Sequence, residues 1–172
     1  MSKAQAGAAP FESFIVLTEV AEGQRLADPI FRRKFEQPAN DFGHHLLALY
    51  DGGEMGWMPV SYVKYWEADG LMFSGGGCTD GRVLRSMSPE QQRIVREAGG
   101  VLLWLMRYAE RRLCADKPGT FGYCGDERAW EVFDQVGYER TEHPHLIVCW
   151  HQRPSEVEAR AMVQRVIELG PF

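Results

Sequence analysis

Short apolar runs broken by turn residues fill the first half of the chain, and helical spacing takes over in the second. Phe14 to Val20 (FIVLTEV) is rich in β-branched and apolar residues and predicts a strand. Ala27 to Phe35 places Ile30, Phe31 and Phe35 on one or two helical turns. His44 to Tyr50 (HHLLALY) predicts a second strand, followed by Asp51-Gly52-Gly53, whose glycines can take the positive φ of a tight turn. The next strand, Met55 to Glu67, is long and carries Trp57, Tyr62, Tyr65 and Trp66. Pro59 inside it lacks a ladder donor, which predicts an edge, a bulge or a later start. Ala68-Asp69-Gly70 then turns the chain into Leu71 to Ser74, which runs on into Gly75-Gly76-Gly77 and Cys78. The first half therefore reads as an antiparallel meander.

The second half opens with Ser88-Pro89-Glu90: a capping serine, a proline at the first helical position and an acid in the first turn. This predicts a helix from Ser88 to Glu97. Gly99-Gly100 interrupts the pattern, and Val101 to Leu113 continues as an amphipathic helix with Leu102, Leu105, Met106 and Ala109 on its apolar side. Thr120 to Cys124 reads as a buried strand. Asp126 then caps a helix from Glu127 to Val136 that leaves through Gly137. Tyr138 to Glu142 and Leu146 to His151 predict two short strands around Pro144, and Pro154-Ser155-Glu156 opens a last helix through Leu169. The expected class is α/β, a mixed twisted sheet of about six to seven strands flanked by helices, with a parallel crossover after the meander. Residues 1–12 are read as a loose tail and 13–172 as a single domain.

With 172 residues, 45% hydrophobic and 25% charged, the chain has ordinary globular composition. Its net charge of −5 argues against a partner made of nucleic-acid phosphates, although Arg107, Arg111 and Arg112 share one helix. The longest near-apolar run, Val101 to Met106, is far below the roughly 20 residues of a membrane span. The opening MSKAQAGAAP lacks the order of a secretory signal, and the four cysteines form no C-x-x-C pair. These features point to a cytoplasmic protein with reduced thiols and no membrane partner. His143-x-His145 has the i, i+2 spacing of a metal pair on a strand, but Pro144 between them favours a turn, and no metal site is assigned.

Three segments carry a resemblance. Asp126, Ala129, Phe133, Gly137 and Tyr138 follow the spacing N-x-x-A-x-x-x-Y-x-x-x-G-F, and Arg96-Glu97-Ala98-Gly99-Gly100-Val101 approximates [Q/R]-x-x-G-x-[G/A]. The third is Gly75-Gly76-Gly77 at the end of a strand, where glycines mark a bulge or a close backbone approach. With the strand order, these resemble a divergent member of the GNAT acyltransferase superfamily from about Phe14 to His151. Phe133 stands where the superfamily has tyrosine, Asp126 where it has asparagine, and Val101 where a small residue is usual.

The resemblance implies an acyltransferase that moves an acetyl or other acyl group from coenzyme A to an amine, by direct attack on the thioester. The expected co-substrate is acetyl-CoA or another acyl-CoA, held by Gly77, Cys78, Arg96, Gly99, Gly100, Val101, Asp126 and Phe133. Glycines let the backbone approach a pyrophosphate, and free N–H groups at a helix start face its charge. An alkyl amine near pKa ~10 must lose a proton before it attacks. Glu67 and Asp80 are the expected bases, with Glu54, His44 and His45 as further candidates, and Tyr138, with Tyr123, Ser74 or a water as alternatives, stands in for the missing tyrosine. The acceptor is a small-molecule or macromolecular amine, and a homodimer is left open. Val101 and Phe133 also keep a second reading alive, a GNAT-like binding or assembly module without turnover.

Overall fold

The computed structural model describes residues 10–170 and 172, so the expected tail over residues 1–9 lies outside the described residues. The chain opens with a 3-10 turn at Pro10–Ser13, and Phe11 within it is only 2% exposed. Phe11 therefore packs into the body, although the polar opening placed it in the tail, while Glu12 is exposed. Phe11 packs its ring on Trp104 at 5.7 Å, which anchors the entrance of the chain.

The strands are β1 (Ile15–Glu19), β2 (His44–Asp51), β3 (Trp57–Ala68), β4 (Leu71–Thr79), β5 (Gly119–Tyr123), β6 (Glu139–Arg140) and β7 (Leu146–Trp150). They form one seven-stranded sheet in the order β1-β2-β3-β4-β5-β7-β6. β1 to β4 are an antiparallel meander, β4 and β5 are parallel, and β5 pairs antiparallel with β7. This is the mixed α/β sheet anticipated from the turn and strand pattern. Pro59 sits beside an irregularity in which Leu49 pairs with Pro59 and Ala48 with Ser61, so β3 carries one extra residue there. Such a bulge tolerates the missing donor.

The helices are α1 (Gly23–Phe35), α2 (Gly81–Ser86), α3 (Pro89–Glu97), α4 (Val101–Leu113), α5 (Glu127–Val136) and α6 (Glu156–Leu169). α1 is longer than the expected segment from Ala27: it begins at Gly23 and carries Pro29 inside it. α2 was not anticipated; Asp80 caps it by accepting from the Arg82 N–H. The extra segment after β4 is therefore two helices that send Met87 and Val95 into the core. β6 is shorter than expected, since the chain turns from Thr141 towards Leu146. None of the described helices is long and apolar enough to cross a membrane.

Alternation along β3 divides the core between the two faces of the sheet. Val63 and Tyr65 join the cluster under α4 and α5, whereas Tyr62 and Trp66 belong to clusters covered by α1 and α6. Helices thus cover both faces, and α1 and α6 leave a gap on theirs.

Candidate functional site: a wedge between two parallel strands

β4 and β5 pair only at Met72 with Thr120 and at Phe73 with Phe121. The strands are close at the apex, where a Cβ on Gly122 would lie 3.1 Å from Ser74 Oγ. Beyond it β4 turns away. The β3–β4 register slips between Tyr62–Cys78 and Lys64–Gly75, which puts one extra residue on β4, and Gly76 takes φ +68° there. A bulge of this kind bends and twists its strand, and glycine is what makes the positive φ cheap.

The opening is a cleft of about 450 Å³. Its walls are the β4 segment Gly75 to Thr79, the end of β5 from Tyr123 to Asp126, and the α5 face with Ala129, Val132 and Phe133. Leu102 from the start of α4 and Lys34 and Phe35 from the end of α1 close the rim. Of the residues expected to hold coenzyme A, the cleft brings together Gly77, Cys78, Asp126 and Phe133. Asp126 caps α5 by accepting from the Arg128 N–H at 2.9 Å and lies 3.8 Å from the Lys34 ammonium.

Arg96, Gly99, Gly100 and Val101 do not line this cleft. Gly99 N–H donates to Arg96 O and Gly100 N–H to Val95 O, at 3.0 and 2.9 Å. Together these bonds are a Schellman motif that ends α3, so the diglycine amides are already engaged. Val101 is 2% exposed and packs into the core. The groups left for an anion are the first amides of α4, which follow Gly100, an N-cap with no side chain to satisfy them. Lys34 and Arg128, which the sequence reading missed, add positive charge at the rim.

Tyr138 is sealed off from the cleft. It is 2% exposed and lies behind Phe133, ring to ring at 5.0 Å. Its hydroxyl donates to Glu110 Oε1 at 2.7 Å and meets Ser74 Oγ at 2.9 Å. Burial pushes the phenol well above its ordinary range, and the Glu110 charge pushes it further. It holds the sheet to α4 and has no free proton for a leaving thiolate.

The expected bases are also occupied or remote. Glu67 sits at the closed end of β3, exposed, and binds Lys117 Nζ at 2.6 Å. Asp80 is 8% exposed and is held by Arg33, Arg82 and a backbone N–H. Burial raises its carboxyl, but the bonds from Arg82 and Arg33 outweigh that and keep it below its ordinary value. His44 Nδ1 is 2.7 Å from Glu19 Oε1, and His45 is buried with Nδ1 2.9 Å from the Tyr62 hydroxyl. Glu54 lies on an exposed 3-10 turn between β2 and β3. No carboxylate other than Asp126, and no imidazole, lines the cleft among the described residues.

Cys78 is 3% exposed, and burial pushes its thiol up to about 12. Such a thiol has almost no thiolate at neutral pH, which argues against an acyl-cysteine intermediate. In the native protein near pH ~8, Cys78 is expected to alkylate with iodoacetamide at least ~100-fold more slowly than free cysteine. Peptide mapping of the modified thiols measures this, and stoichiometric labelling of Cys78 would overturn the assignment.

A second cavity, of about 290 Å³, opens on the other face of the sheet between α1 and Phe172, which follows α6. Phe31, Phe35, Tyr62, Lys64, Trp66, Gly75 and Gly76 are among its walls, so it shares Phe35, Gly75 and Gly76 with the cleft. The bulge is thus a common wall, reached from one face through the wedge and from the other through this cavity. Of the aromatic strand, Tyr62 and Trp66 line this cavity, whereas Trp57 is 55% exposed at the hairpin.

No protein-family model matches the chain, and no curated protein matches it. Among solved structures it is similar to an acetyltransferase of the GNAT family from Bacillus anthracis, at 10% identity and a TM-score of 0.38. That match covers 62% of this chain and 66% of the other, just under two thirds of it. It is also similar to apo FdhC, a nucleotide-linked sugar GNAT, at 9% identity over 89% and 93% of the two chains, with a TM-score of 0.48. A mutant of the AtaT toxin bound to the C-terminus of the antitoxin AtaR matches at 13% identity over 80% and 93%, with a TM-score of 0.42. These are likenesses in the path of the chain. The chain has a GNAT-like fold, visible in its own strand order and in the wedge where β4 leaves β5.

Proposed function

We propose that this protein is an N-acyltransferase that moves an acyl group, acetyl in the simplest case, from coenzyme A to an amine. The observation that carries this reading is the glycine bulge, which forms the shared wall of a cleft between parted strands and a cavity on the opposite face. The pantetheine arm would lie along β4, whose main-chain groups beyond Phe73 have lost the β5 partner. The pyrophosphate would rest on the first amides of α4, with Lys34 and Arg128 at the rim. The amine would arrive from the second cavity and attack the thioester carbon at the bulge. The carbonyl oxygen gains charge in that step, and a β4 N–H aimed at it is worth ~2.7–4 kcal/mol.

Among the described residues no imidazole and no carboxylate side chain other than the capping Asp126 lines either cavity, so the amine is expected to enter neutral or to release its proton to water. Phe133 cannot protonate the departing thiolate, and water takes that role as well. The rate at low acceptor concentration should then rise with pH as the acceptor amine itself deprotonates.

Melting with and without acetyl-CoA is the first test. At ~100 times the dissociation constant the ligand should add ~2.7 kcal/mol, a shift of roughly 5–10 °C for a chain of this size. Release of free thiol with a panel of amines then separates turnover from binding. No shift with any acyl-CoA or with free CoA would overturn the reading. A shift without thiol release from any amine would favour a binding module.

A further inference from the structure

We propose that the cavity on the α1–α6 face accepts an amine that also carries an acidic group, with Lys64 binding that group and aromatic side chains holding a flat apolar body. The proposal rests on the acyltransferase reading and names the substrate class for it.

Lys64 lies in β3 within the buried run from Val60 to Tyr65, and is itself only 6% exposed. A lysine in such a place normally has a carboxylate partner, because an isolated buried charge is costly. Among the described residues none lies within ion-pair distance of Lys64, although every other buried carboxylate is engaged: Asp80 by Arg33 and Arg82, Glu110 by hydroxyls and His151. The ammonium instead stands 3.8 Å from the ring centre of Phe42 and 4.4 Å from that of Trp66. Those contacts hold a cation in place but leave its charge uncompensated.

The rest of the cavity is consistent with an anionic guest. Its lining contains no acidic side chain, in a protein that carries −5 overall. Gln37 and Asn40 supply neutral polar groups at the wall, and Phe31, Phe35 and Trp66 supply flat apolar surface. At about 290 Å³ the space is at the small end of ligand pockets, which suits a molecule of amino-acid size. Desolvation lowers the Lys64 pKa to about 8, so its charge is present at neutral pH and is lost just above it. The titratable groups nearby are His45, its cross-strand partner on β2, Asp41 beyond that ring, and the α-carboxyl of Phe172, a residue that lines the cavity and packs on Trp66 at 5.4 Å. The residues of α1 and β4 that line the cavity are uncharged.

The probes are matched pairs, phenylalanine with phenethylamine and tryptophan with tryptamine, titrated into the protein without coenzyme A by calorimetry. The carboxylate-bearing member of each pair is expected to bind at least ~10-fold more tightly, and Lys64→Met should erase the difference. In thiol-release assays the same ratio should appear in kcat/KM calculated per neutral amine, and it should fall above about pH 8 as Lys64 loses its charge.

Lys64→Met keeps the length of the side chain, and its melting curve reports whether the fold survives. Between about pH 8 and 10.5 the unfolded chain holds a proton at Lys64 that the folded chain has shed, so wild-type stability gains with pH across that window. The variant should therefore melt above wild type at neutral pH, with the gap closing as pH rises through the window. Equal or tighter binding of the decarboxylated amines, an unchanged ratio in Lys64→Met, or no binding by either member of both pairs would each overturn the proposal. The acetyl-CoA melting shift is independent of all three, so the substrate class can fail while the acyltransferase reading stands.

Discussion

Glu110→Ala is expected to destabilise the protein by roughly 3–5 kcal/mol, read as a fall in the urea midpoint of unfolding. Glu110 projects from α4 beneath the sheet and accepts from four side chains. Tyr138 lies at 2.7 Å, Tyr65 at 2.8 Å, Thr120 at 3.0 Å and His151 at 3.2 Å. One carboxylate thus ties α4 to β3, β5, the entrance to β6 and the exit from β7. Alanine would leave those groups buried without an acceptor, and each such loss costs about 1–3 kcal/mol where water cannot reach.

Burial raises the Glu110 carboxyl, but the bonds from His151, Tyr138 and Tyr65 outweigh it and hold the group below its ordinary value of 4.5. The unfolded chain therefore takes up a proton first as pH falls. The contribution of Glu110 is complete above about 4.5 and drains away as pH drops through the folded value. Glu110→Gln, which cannot titrate, should show a shallower loss of stability across that acid range. A wild-type-like midpoint in Glu110→Ala would mean that the network contributes nothing to stability.

Much of this architecture is written in local signals, because caps and turns act over a few residues. Ser88 with Gln91 and Ser155 with Glu158 form reciprocal capping boxes, and Asp126 and Gly137 bracket α5 as their residue types suggest. The bulge in β4 could be anticipated from three successive glycines, and Gly76 takes φ +68° there. What escaped was decided at longer range. Phe11 looks like part of a polar tail until Trp104, more than ninety positions later, supplies its partner. The expected helical segment began at Ala27, yet α1 starts at Gly23 and runs on through Pro29, with Ala27 and Ile30 buried against β2 and β3.

The site was less legible than the fold for the same reason. Gly99 and Gly100 have the residue types of an anion-binding loop, but their N–H groups were spoken for once α3 was known to end in a Schellman motif. Tyr138 could be placed after α5 from sequence, whereas its confinement by Phe133, Ser74 and Glu110 depends on three separate elements. Lys64 left one usable trace, a lysine between Val63 and Tyr65 in an otherwise aromatic and apolar strand. A central strand has no solvated edge for such a charge, so the residue itself asks for a partner or a ligand.

Gly77→Val is expected to abolish the acetyl-CoA melting shift while leaving the protein folded, with its unliganded melting temperature changed by no more than a few degrees. The position separates binding from folding because of where its missing side chain would go. A Cβ there would touch the Leu102 methyls at 3.6 and 3.7 Å and Val63 Cγ2 at 4.0 Å, all ordinary contacts. The valine methyls beyond it would enter the cleft beside β4, where the proposed pantetheine arm runs. Its neighbour gives the contrast: Gly76 holds φ +68°, and a Cβ there would fall 2.5 Å from Phe31 Cε2, so Gly76→Val should lower the melting temperature even without ligand. Gly99 fails as a probe for a similar reason, with φ +84° and Leu103 Cδ2 2.7 Å from the added atom. If Gly77→Val keeps its melting temperature and still gains the full shift from acetyl-CoA, the cofactor does not lie in the wedge. The meeting of the two cavities at the bulge would then have no part in catalysis.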